Sequence, residues 1–546
     1  MLQITDPIHG YIELEGIFAN IVNTPEFQRL RSVEQGSFRP VYPGARHDRF
    51  AHSLGTYHLA AKFVEPFFRN LEKDAGICLS EAQRDGLTRT FLYAALLHDI
   101  GHAPFSHTTE GFFAEKKGKN DLPEIWHDLC DAVRAVDPRE GMLFSAQTEK
   151  RGAPHEIMSA TILVSKWARL SRNAEQEVDL PLAARMVIGF TYSPEDLATL
   201  ADQDLVSLGV RNCLIQMINF SLLDVDRLDY MGRDARMSGF INAPLDLDCL
   251  AQSVTAVEED GMLVPAYRDA ALRVFDLMFQ AKLSHDAWVL AAPAGAYDAA
   301  LLAHCIRKLN EKIREDGKTY METIFSVEAL SREGVDFAGK HYRLLSDVDV
   351  AADLKAQTDP LFEELYTREL GRRRIAAWRS YYEYHHLFNC LEMGLTPEGV
   401  YAFFKPLLKY LDKEKIFAFD ASAYDRIQKS DDAGVVRAAA LLKAFLVHAS
   451  EAENDSYSVV LLDRISNFTM KLDPAQIRIV FPTKENGKLR LPLRSGKFNY
   501  STYADMTGVT EADKRSKPYF YIMKKGGLGR EQLQKLREML ADELNR

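Results

Sequence analysis

Two histidines and two aspartates that lie far apart in the sequence limit how this chain can fold. His52 lies in RFAHS, the adjacent pair His98 and Asp99 in LLHDIGHAPFSH, and Asp226 in LLDVDRLDY. Neutral imidazoles and anionic carboxylates suit a borderline-to-hard divalent cation, and four protein ligands leave octahedral positions for water and a phosphate oxygen. The pattern therefore predicts a metal centre that hydrolyses a phosphate ester.

The His-Asp dipeptide alone is weak evidence, because the chain contains it four times: His47-Asp48, His98-Asp99, His127-Asp128 and His285-Asp286. Only His98-Asp99 ends a strongly apolar run, residues 91–97. It precedes Gly101, which we expect to stop a helix in the left-handed conformation. Nine of the 15 histidines lie at or before His155, and two of them, His102 and His107, closely follow the pair.

Length and charge narrow the class of protein. A chain of 546 residues exceeds what one hydrophobic core organises, which predicts two or three domains. The net charge of -11 argues against a surface that coats DNA, although a local basic groove is compatible with it. Nucleic acid is thus a possible partner, but not the favoured one.

The cysteines and the N-terminus predict a cytoplasmic protein. The six cysteines show no C-x-x-C spacing, and the first residues lack the basic-then-apolar order of a signal peptide. The most apolar long stretch, residues 287–303, is interrupted by Pro293, Gly295 and Asp298, which argues against a membrane span. We expect no membrane partner.

Helical periodicity dominates the first two thirds of the chain. It predicts helices within residues 54–64, 87–98, 156–170, 211–223 and 269–288. Residues 476–481 and 518–523 resemble strands, and a closing amphipathic helix is predicted over 530–545. A polar, Asp-rich stretch places a boundary near residue 330, which divides the chain into 1–330, with an insertion at about 108–153, and an accessory region, 331–546.

Several strings together resemble the HD-domain deoxynucleoside triphosphate triphosphohydrolases, a family that includes bacterial dGTPases and the vertebrate enzyme with a sterile-alpha-motif domain. They are DPIHGYIELE, FQRLRSVEQ, YPGARHDRFAHSLG, HDIGHAPFSH, PHE at 154–156 and DVDRLDYMGRDA. The resemblance covers roughly residues 5–290. It implies a mainly α fold, an HD-domain helical fold with a smaller α+β C-terminal region.

The resemblance also implies one divalent metal, Fe, Mn, Co, Ni, Zn or Mg, held by His52, His98, Asp99 and Asp226. The helical spacing agrees, because Arg49 precedes His52 by one turn and shares its face. Asp226, Tyr230 and Asp234 recur at intervals of four and share another face. The alternative for Asp226 is a solvated acid at a capped helix start.

By similarity to the family, His107 is the general acid, while His102 and His155 position the phosphate or relay protons. The implied reaction is attack of an activated water on the α-phosphorus of a dNTP, which releases deoxynucleoside and triphosphate. The alternative for these residues is a set of hydrogen-bonded histidines in a loop.

The implied substrate is a deoxynucleotide that carries Mg. Arg49, Arg227 and Lys282 would balance the triphosphate charge, and Tyr230 would pack on the sugar. The full set of predicted substrate-binding residues is Gln35, Arg49, Arg227, Tyr230, Asp234 and Lys282. The sequence departs from the vertebrate pattern at Leu290, Ala292 and Pro293, which puts the base and sugar preference in doubt.

Three residues near the N-terminus match an activating-nucleotide site of the family: Asp6, Gln28 and Arg31. That match implies a homo-oligomer, a dimer, tetramer or hexamer, with nucleotide between subunits. A turn at Asp6 and an exposed helix at 28–31 are the structural alternatives.

Two other functions remain open. An HD phosphodiesterase or nuclease for cyclic nucleotides or short single strands is suggested by the changes near Leu290 and by the mixed Arg and Tyr residues of 368–384. An amphipathic helix with a charged face also explains that segment. The third hypothesis is a nucleotide-sensing scaffold.

Overall fold

The computed structural model describes most of the chain. The described residues are 1–116, 118, 122–147, 152–166, 177–219, 223–240, 245–366, 374–449, 458–466, 474–481, 483–485, 488–490, 501–508 and 517–545. Arg368, Arg372 and Arg373, singled out in the sequence, lie outside them.

The prediction of a mainly α fold is confirmed. The helices of the first half are α1 Gly16–Val22, α2 Pro25–Gln28, α3 Arg49–Asn70, α4 Glu81–Leu97, α5 Glu124–Val136, α6 Pro138–Ala146, α7 Pro154–Ser165, α8 Leu180–Ile188, α9 Leu205–Ile218, α10 Val225–Ser238, α11 Leu247–Ser253 and α12 Leu272–His285. Those of the second half are α13 Pro293–Lys312, α14 Tyr320–Ile324, α15 Val327–Leu330, α16 Asp347–Lys355, α17 Pro360–Tyr366, α18 Tyr381–Phe388, α19 Pro397–Lys413, α20 Ala421–Ile427, α21 Ala433–Ala449, α22 Tyr503–Thr507 and α23 Arg530–Leu544.

The strands form small sheets. They are β1 Leu2–Asp6, β2 Gly10–Leu14, β3 Val254–Glu259, β4 Met262–Arg268, β5 Arg314–Glu315, β6 Lys318–Thr319, β7 Val335–Phe337, β8 Lys340–Tyr342, β9 Arg374–Ala376, β10 Val459–Ser466, β11 Arg478–Val480, β12 Thr483–Glu485, β13 Lys488–Arg490, β14 Ser501–Thr502 and β15 Lys517–Lys525. Two sheets have more than two strands, with orders β10-β15-β9 and β14-β11-β4-β3. The remaining sheets are antiparallel pairs.

Local sequence explains where the two helices that carry distant ligands begin. Asp48 precedes α3 and its side chain accepts a hydrogen bond from the Ala51 N–H at 2.9 Å. Asp224 precedes α10 and accepts from the Arg227 N–H at 2.6 Å. Aspartate at this position satisfies a free N–H of the first helical turn and favours helix formation. The two caps therefore fix the first turns of α3 and α10, which carry His52 and Asp226 respectively.

The core of the first half is a set of packed helices. Helix α3 packs on α4 and α10, and the last turns of α4, from Phe91 to Leu97, are buried. The described part of the insertion includes α5 and α6, which pack on each other, and α5 also packs on α7. Burial of these apolar faces supplies most of the favourable free energy of folding.

The two predicted regions share structure. Strand β11 of the C-terminal region pairs in parallel with β4, at Ile479 with Tyr267 and at Val480 with Arg268. One cluster of buried apolar residues runs through both regions, from Ile12 to Ala541. The boundary near residue 330 stays a prediction. The segments before and after it pack together and share one hydrophobic core.

The expectation for Gly101 was wrong. Its φ is not in the left-handed region, whereas Phe105 and Ser106, which follow it, have φ of 61° and 51°. Gly101 instead lies against α7, because a Cβ at this position would be 2.3 Å from the Ser159 nitrogen and 2.6 Å from the Met158 carbonyl carbon. Its N–H also donates to Ser159 Oγ at 2.9 Å. The glycine is required for close approach of the segment after α4 to α7.

Among the residues that the structure describes, no single helix has the length and apolar character to cross a membrane. One pair of consecutive helical segments, Asp269–Leu290 and Pro293–Lys312, meets these criteria together but is bent by 59°. All six cysteines are free thiols.

Substitution of two glycines tests this packing. Gly101→Ala should lower the free energy of unfolding by about 1 to 3 kcal/mol, because the added methyl group meets backbone atoms of α7. Gly86→Ala, within α4, should raise it by about 0.5 to 1 kcal/mol, because a Cβ there meets no atom within 4 Å. Urea denaturation of both variants measures the two effects. Equal stability of the two variants would contradict this account of Gly101.

Candidate metal centre and active site

Three helices bring the four predicted metal ligands near one another. His52 lies in the first turn of α3, His98 and Asp99 directly follow α4, and Asp226 lies in the first turn of α10. His52 Nε2 is 2.9 Å from Asp226 Oδ1 and 3.3 Å from His98 Nε2. Asp99 Oδ2 is 3.6 Å from His52 Nε2 and 3.5 Å from His98 Nε2. The ligand atoms of His52, His98 and Asp226 thus lie close enough to share one metal ion, and Asp99 lies beside both imidazoles.

The opposite nitrogen of each histidine is held by a hydrogen bond. His52 Nδ1 is 2.7 Å from Asp229 Oδ2, and His98 Nδ1 is 2.8 Å from the Ala95 carbonyl oxygen. Partners of this kind keep the proton on Nδ1 and leave Nε2 for a metal. Both side chains are therefore oriented as metal-binding histidines are.

The charge around His52 suits a cation. Burial alone would lower the pKa of His52, but the hydrogen bonds and charges of Asp226 and Asp229 raise it to about 10. Burial would raise the pKa of Asp226, yet His52 and His98 lower it below its ordinary value. The carboxylates thus favour positive charge where the donor atoms lie close together, so a divalent cation would compete with protons for this position. The donor set fits such a cation.

Asp229, which sequence reasoning did not select, anchors this arrangement. Its carboxylate accepts from Arg233 Nε and Nη2 at 2.8 and 2.9 Å and is 2.6 Å from His9 Nε2. It is completely buried, and a Cβ at Gly55 would be 1.9 Å from its Oδ1. The sequence marked Asp229 only by its position three residues after Asp226. That position is equally typical of a solvated acid.

Arg49 directly contacts one predicted metal ligand, Asp99. Its Nη1 donates to Asp99 Oδ2 at 2.7 Å, its Nε to Ser106 Oγ at 3.0 Å, and its Nη2 to the Gln35 carbonyl oxygen at 2.9 Å. Burial would raise the pKa of Asp99, but Arg49 and the nearby histidines hold it well below its usual value. The face shared by Arg49 and His52 thus brings the guanidinium to a ligand carboxylate.

A second histidine cluster adjoins the first. His102 and His155 stack with ring centroids 4.0 Å apart, and the ring of His107 lies 5.0 and 5.2 Å from them. His102 Nε2 is 3.2 Å from Asp99 Oδ1. Its Nδ1 has no hydrogen-bond partner within the described part of the chain. Burial, Arg49 and His155 lower its pKa well below the usual value, which favours the neutral imidazole.

Glu110 joins His107 to His155 and was missed by sequence reasoning. Its Oε1 is 3.0 Å from His107 Nδ1, and its Oε2 forms a short contact with His155 Nδ1. Burial would raise the pKa of Glu110, but the two histidines lower it; burial would lower the pKa of His155, but Glu110 raises it. The signal was an acid three residues after His107, a spacing that brings side chains together in the short 3-10 helices here.

The predicted substrate residues are partly engaged with other side chains. Arg227 pairs with Asp224 at 3.5 Å, and Lys282 forms a short ion pair with Asp286. The Lys282 Nζ lies 5.8 Å from the ring centroid of Tyr230. Gln35 is buried, and its Oε1 accepts no hydrogen bond from any residue that the structure describes.

Two of the other His-Asp dipeptides meet at Asp234. This buried carboxylate is 2.6 Å from His47 Nε2 and 3.2 Å from His285 Nε2. Asp234 therefore has two partners within the chain, and its assignment to substrate stays a prediction. The fourth dipeptide lies on α5, where Asp128 is exposed.

The three predicted activator-site residues differ in their surroundings. Asp6 is buried, accepts from the Ile8 and His9 N–H groups, and is 2.8 Å from Arg233 Nη1. Gln28 accepts from the Nε of the exposed Arg31 at 2.9 Å. The carboxylate of Asp6 is occupied inside the chain, and its role in binding an activator stays a prediction.

Known proteins share parts of this chain. Deoxynucleoside triphosphate triphosphohydrolase SAMHD1 of Bos taurus is 46% identical over 114 residues, 21% of this chain and 18% of the relative. The protein of that name in Danio rerio is 38% identical over 231 residues, 39% of this chain and 34% of the relative. The uncharacterized protein YwfO of Bacillus subtilis is 26% identical over 266 residues, 47% of this chain and 45% of the relative. The matches thus span less than half of each relative. No protein-family model matches the chain.

The metal centre can be tested without any assay of activity. Asp226→Asn should abolish tight binding of Mn²⁺, because it replaces a ligand carboxylate. Asp229→Asn should weaken binding by about 10- to 100-fold, because His52 loses the acceptor that orients it. Equilibrium dialysis with metal analysis measures both. Asp128→Asn, from the exposed dipeptide, is the control and should bind as the unchanged chain does. Unaltered affinity in Asp226→Asn would exclude this cluster as the metal site.

Proposed function

We propose that this chain is a member of the family of HD-domain deoxynucleoside triphosphate triphosphohydrolases and that it hydrolyses dNTPs to deoxynucleoside and inorganic triphosphate. One observation carries the proposal. Asp99 lies between the two clusters, with Oδ2 within 3.6 Å of both ligand histidines and Oδ1 3.2 Å from His102. Candidate metal ligands and candidate proton donors therefore adjoin each other, as metal-assisted phosphate hydrolysis requires.

In this proposal His52, His98, Asp99 and Asp226 hold one divalent cation. A cation bound there activates a water molecule and offsets phosphate charge. Two nitrogen and two oxygen donors admit Fe, Mn, Co, Ni, Zn or Mg, and a further Mg²⁺ accompanies the nucleotide.

The second cluster would supply the proton for the leaving 5'-oxygen. Glu110 binds the Nδ1 atoms of His107 and His155, so the Nε2 atoms of both rings are left for the substrate. We assign proton donation to His107, whose side chain is 60% exposed and accessible to a nucleotide. His155 and the neutral His102 would hold the phosphate and relay the proton.

The remaining predicted residues would bind the triphosphate and the nucleoside. Arg227 and Lys282 each pair with an acid, and a triphosphate would compete with Asp224 and Asp286 for them. Tyr230 would pack on the sugar. The unsatisfied Gln35 Oε1 supports a ligand contact, since a buried acceptor without a partner is costly. Arg49 would act mainly through Asp99, while Asp234 would hold His285, whose ring lies 6.3 Å from that of Tyr230.

Glu110→Gln tests the proton-donor assignment. The amide cannot keep the negative charge that supports both histidines, so kcat for dNTP hydrolysis should fall by about 100-fold or more. The measurement is steady-state hydrolysis of each dNTP with Mg²⁺ or Mn²⁺, with products resolved by chromatography.

The matched control is Glu115→Gln. Glu115 lies five positions after Glu110, and among the ion pairs described it pairs only with Arg307. This variant should retain the activity of the unchanged chain. Release of a nucleoside monophosphate, rather than deoxynucleoside and triphosphate, would refute the proposed reaction.

A second candidate function is a phosphodiesterase or nuclease that acts on a short single strand. Trp288 and Tyr382 favour it, because both are more than half exposed and their rings stack with centroids 6.4 Å apart. Exposed aromatic rings bind unpaired bases by stacking. Incubation with single-stranded DNA in the same product assay separates the two candidates, since only this one yields shortened strands.

Oligomerisation and nucleotide activation complete the proposal. Arg31 is exposed, and its guanidinium lies over the Phe50 ring, 3.5 Å from the centroid, where a nucleotide phosphate can reach it. Arg31→Ala should reduce the stimulation of dATP hydrolysis by added GTP at least about fivefold. It should also reduce oligomer formation in light scattering with GTP. The exposed Arg46→Ala is the control, and equal stimulation in both variants would rule out a role for Arg31.

A further inference from the structure

We propose that Asp347 is a positioning residue for the loop that carries His102 and His107. Asp347 begins α16, in the region that the sequence assigns to an accessory domain, 242 residues after the loop residue that it binds. This inference rests on the proposed function, because that function is what assigns catalytic roles to His102 and His107.

The carboxylate of Asp347 links two segments of the active site. Its Oδ1 accepts a hydrogen bond from the Phe105 N–H at 2.6 Å, and its Oδ2 accepts from the Glu34 N–H at 2.9 Å. Phe105 lies between His102 and His107, and Glu34 precedes Gln35. Asp347 is 6% exposed, so both hydrogen bonds are shielded from water. One buried side chain therefore fixes the catalytic loop relative to the segment that carries Gln35.

The loop needs such a restraint because its backbone is strained. Phe105 has φ 61° and ψ 23°, and Ser106 has φ 51°. Residues with a side chain rarely adopt this left-handed conformation, and it persists only where the surroundings hold it. The hydrogen bond from Phe105 N–H to Asp347 and the short one from Ser106 Oγ to the Glu34 carbonyl oxygen provide that hold.

Arg29 ties the start of the loop to the same segment. Its buried guanidinium donates to the carbonyl oxygens of Ile100 at 2.7 Å, His102 at 3.1 Å and Leu345 at 2.8 Å. Leu345 lies two residues before Asp347. The segment 345–347 thus holds the loop at His102, through Arg29, and at Phe105, through Asp347.

Displacement of the loop would be transmitted to Asp99 through two consecutive hydrogen bonds. Ser106 Oγ accepts from Arg49 Nε, and Arg49 Nη1 donates to Asp99. His107 directly follows Ser106. Loss of the restraint at Phe105 should therefore move His107 and alter the contact of Arg49 with Asp99, while Asp347 itself never touches the substrate.

The chain offers a closely matched control in Asp353, on the same helix. Asp353 is 4% exposed, accepts from the hydroxyls of Tyr320 and Tyr342 at 2.9 and 2.8 Å, and forms a short ion pair with Lys340. It is as buried and as strongly bonded as Asp347, but none of these partners belongs to the loop. Its loss should destabilise the fold without displacing His107.

The experiment compares Asp347→Ala and Asp347→Asn with Asp353→Ala in the full chain. We expect kcat for dNTP hydrolysis to fall at least about tenfold in Asp347→Ala, because misplaced catalytic groups cost rate even when the fold is intact. Asp347→Asn keeps one acceptor oxygen and should lie between. Asp353→Ala should lower Tm at least as much as Asp347→Ala, yet keep kcat within about twofold.

Hydrogen exchange of the backbone amides of residues 100–109 gives a readout that does not require activity. Exchange at Phe105 should accelerate in Asp347→Ala and not in Asp353→Ala. Equal exchange in the two variants, or equal losses of kcat, would overturn the proposal. If the unchanged chain releases no triphosphate from any dNTP, the proposed function fails, and the exchange at Phe105 still decides whether Asp347 positions the loop.

Discussion

The structure around the candidate active site depends on the burial of Asp99. An ionised carboxylate is costly to bury unless charged and hydrogen-bonding partners surround it. Asp99 is 1% exposed, and Arg49 from the start of α3 donates to its Oδ2 at 2.7 Å. The same carboxylate faces His52 and His98 on one side and His102 on the other. The end of α4 is thereby fixed against α3, and the two histidine clusters are held side by side.

A second layer of contacts holds the first. Asp229 orients His52, and Glu110 orients His107 and His155. Each of these acids binds more than one partner, so the removal of one leaves several polar groups unsatisfied. The part of the chain beyond residue 330 contributes to this layer through Leu345 and Asp347. It therefore shapes the candidate active site as well as extending the sheet of β3 and β4.

The sequence was informative where the signal is local. Apolar periodicity indicated α3, α4 and α7, and the four-residue spacing of Asp226, Tyr230 and Asp234 indicated the helix that is α10. The family resemblance implied that the four predicted ligands share one metal. The closing helix over 530–545 corresponds to α23 Arg530–Leu544. These features depend on residues a few positions apart, whose spacing is set by helix geometry.

Sequence reasoning missed or misjudged residues whose contacts join distant segments. Asp347 binds a loop 242 residues away, and no local pattern distinguishes it from the solvated acids nearby. Gly101 was expected to end a helix, but its neighbour in space, α7, explains it. Asp234 shares a helix face with Asp226, yet His47 and His285 from two other segments bind it. Such pairings follow from tertiary packing, which spacing along one helix does not specify.

A crystal structure of the chain with Mn²⁺, measured at an X-ray wavelength where manganese scatters anomalously, tests the central claim most directly. We predict one strong anomalous peak within bonding distance of the Nε2 atoms of His52 and His98 and of the carboxylates of Asp99 and Asp226. A peak surrounded instead by His102, His107 and His155, with none between the four residues, would contradict the account.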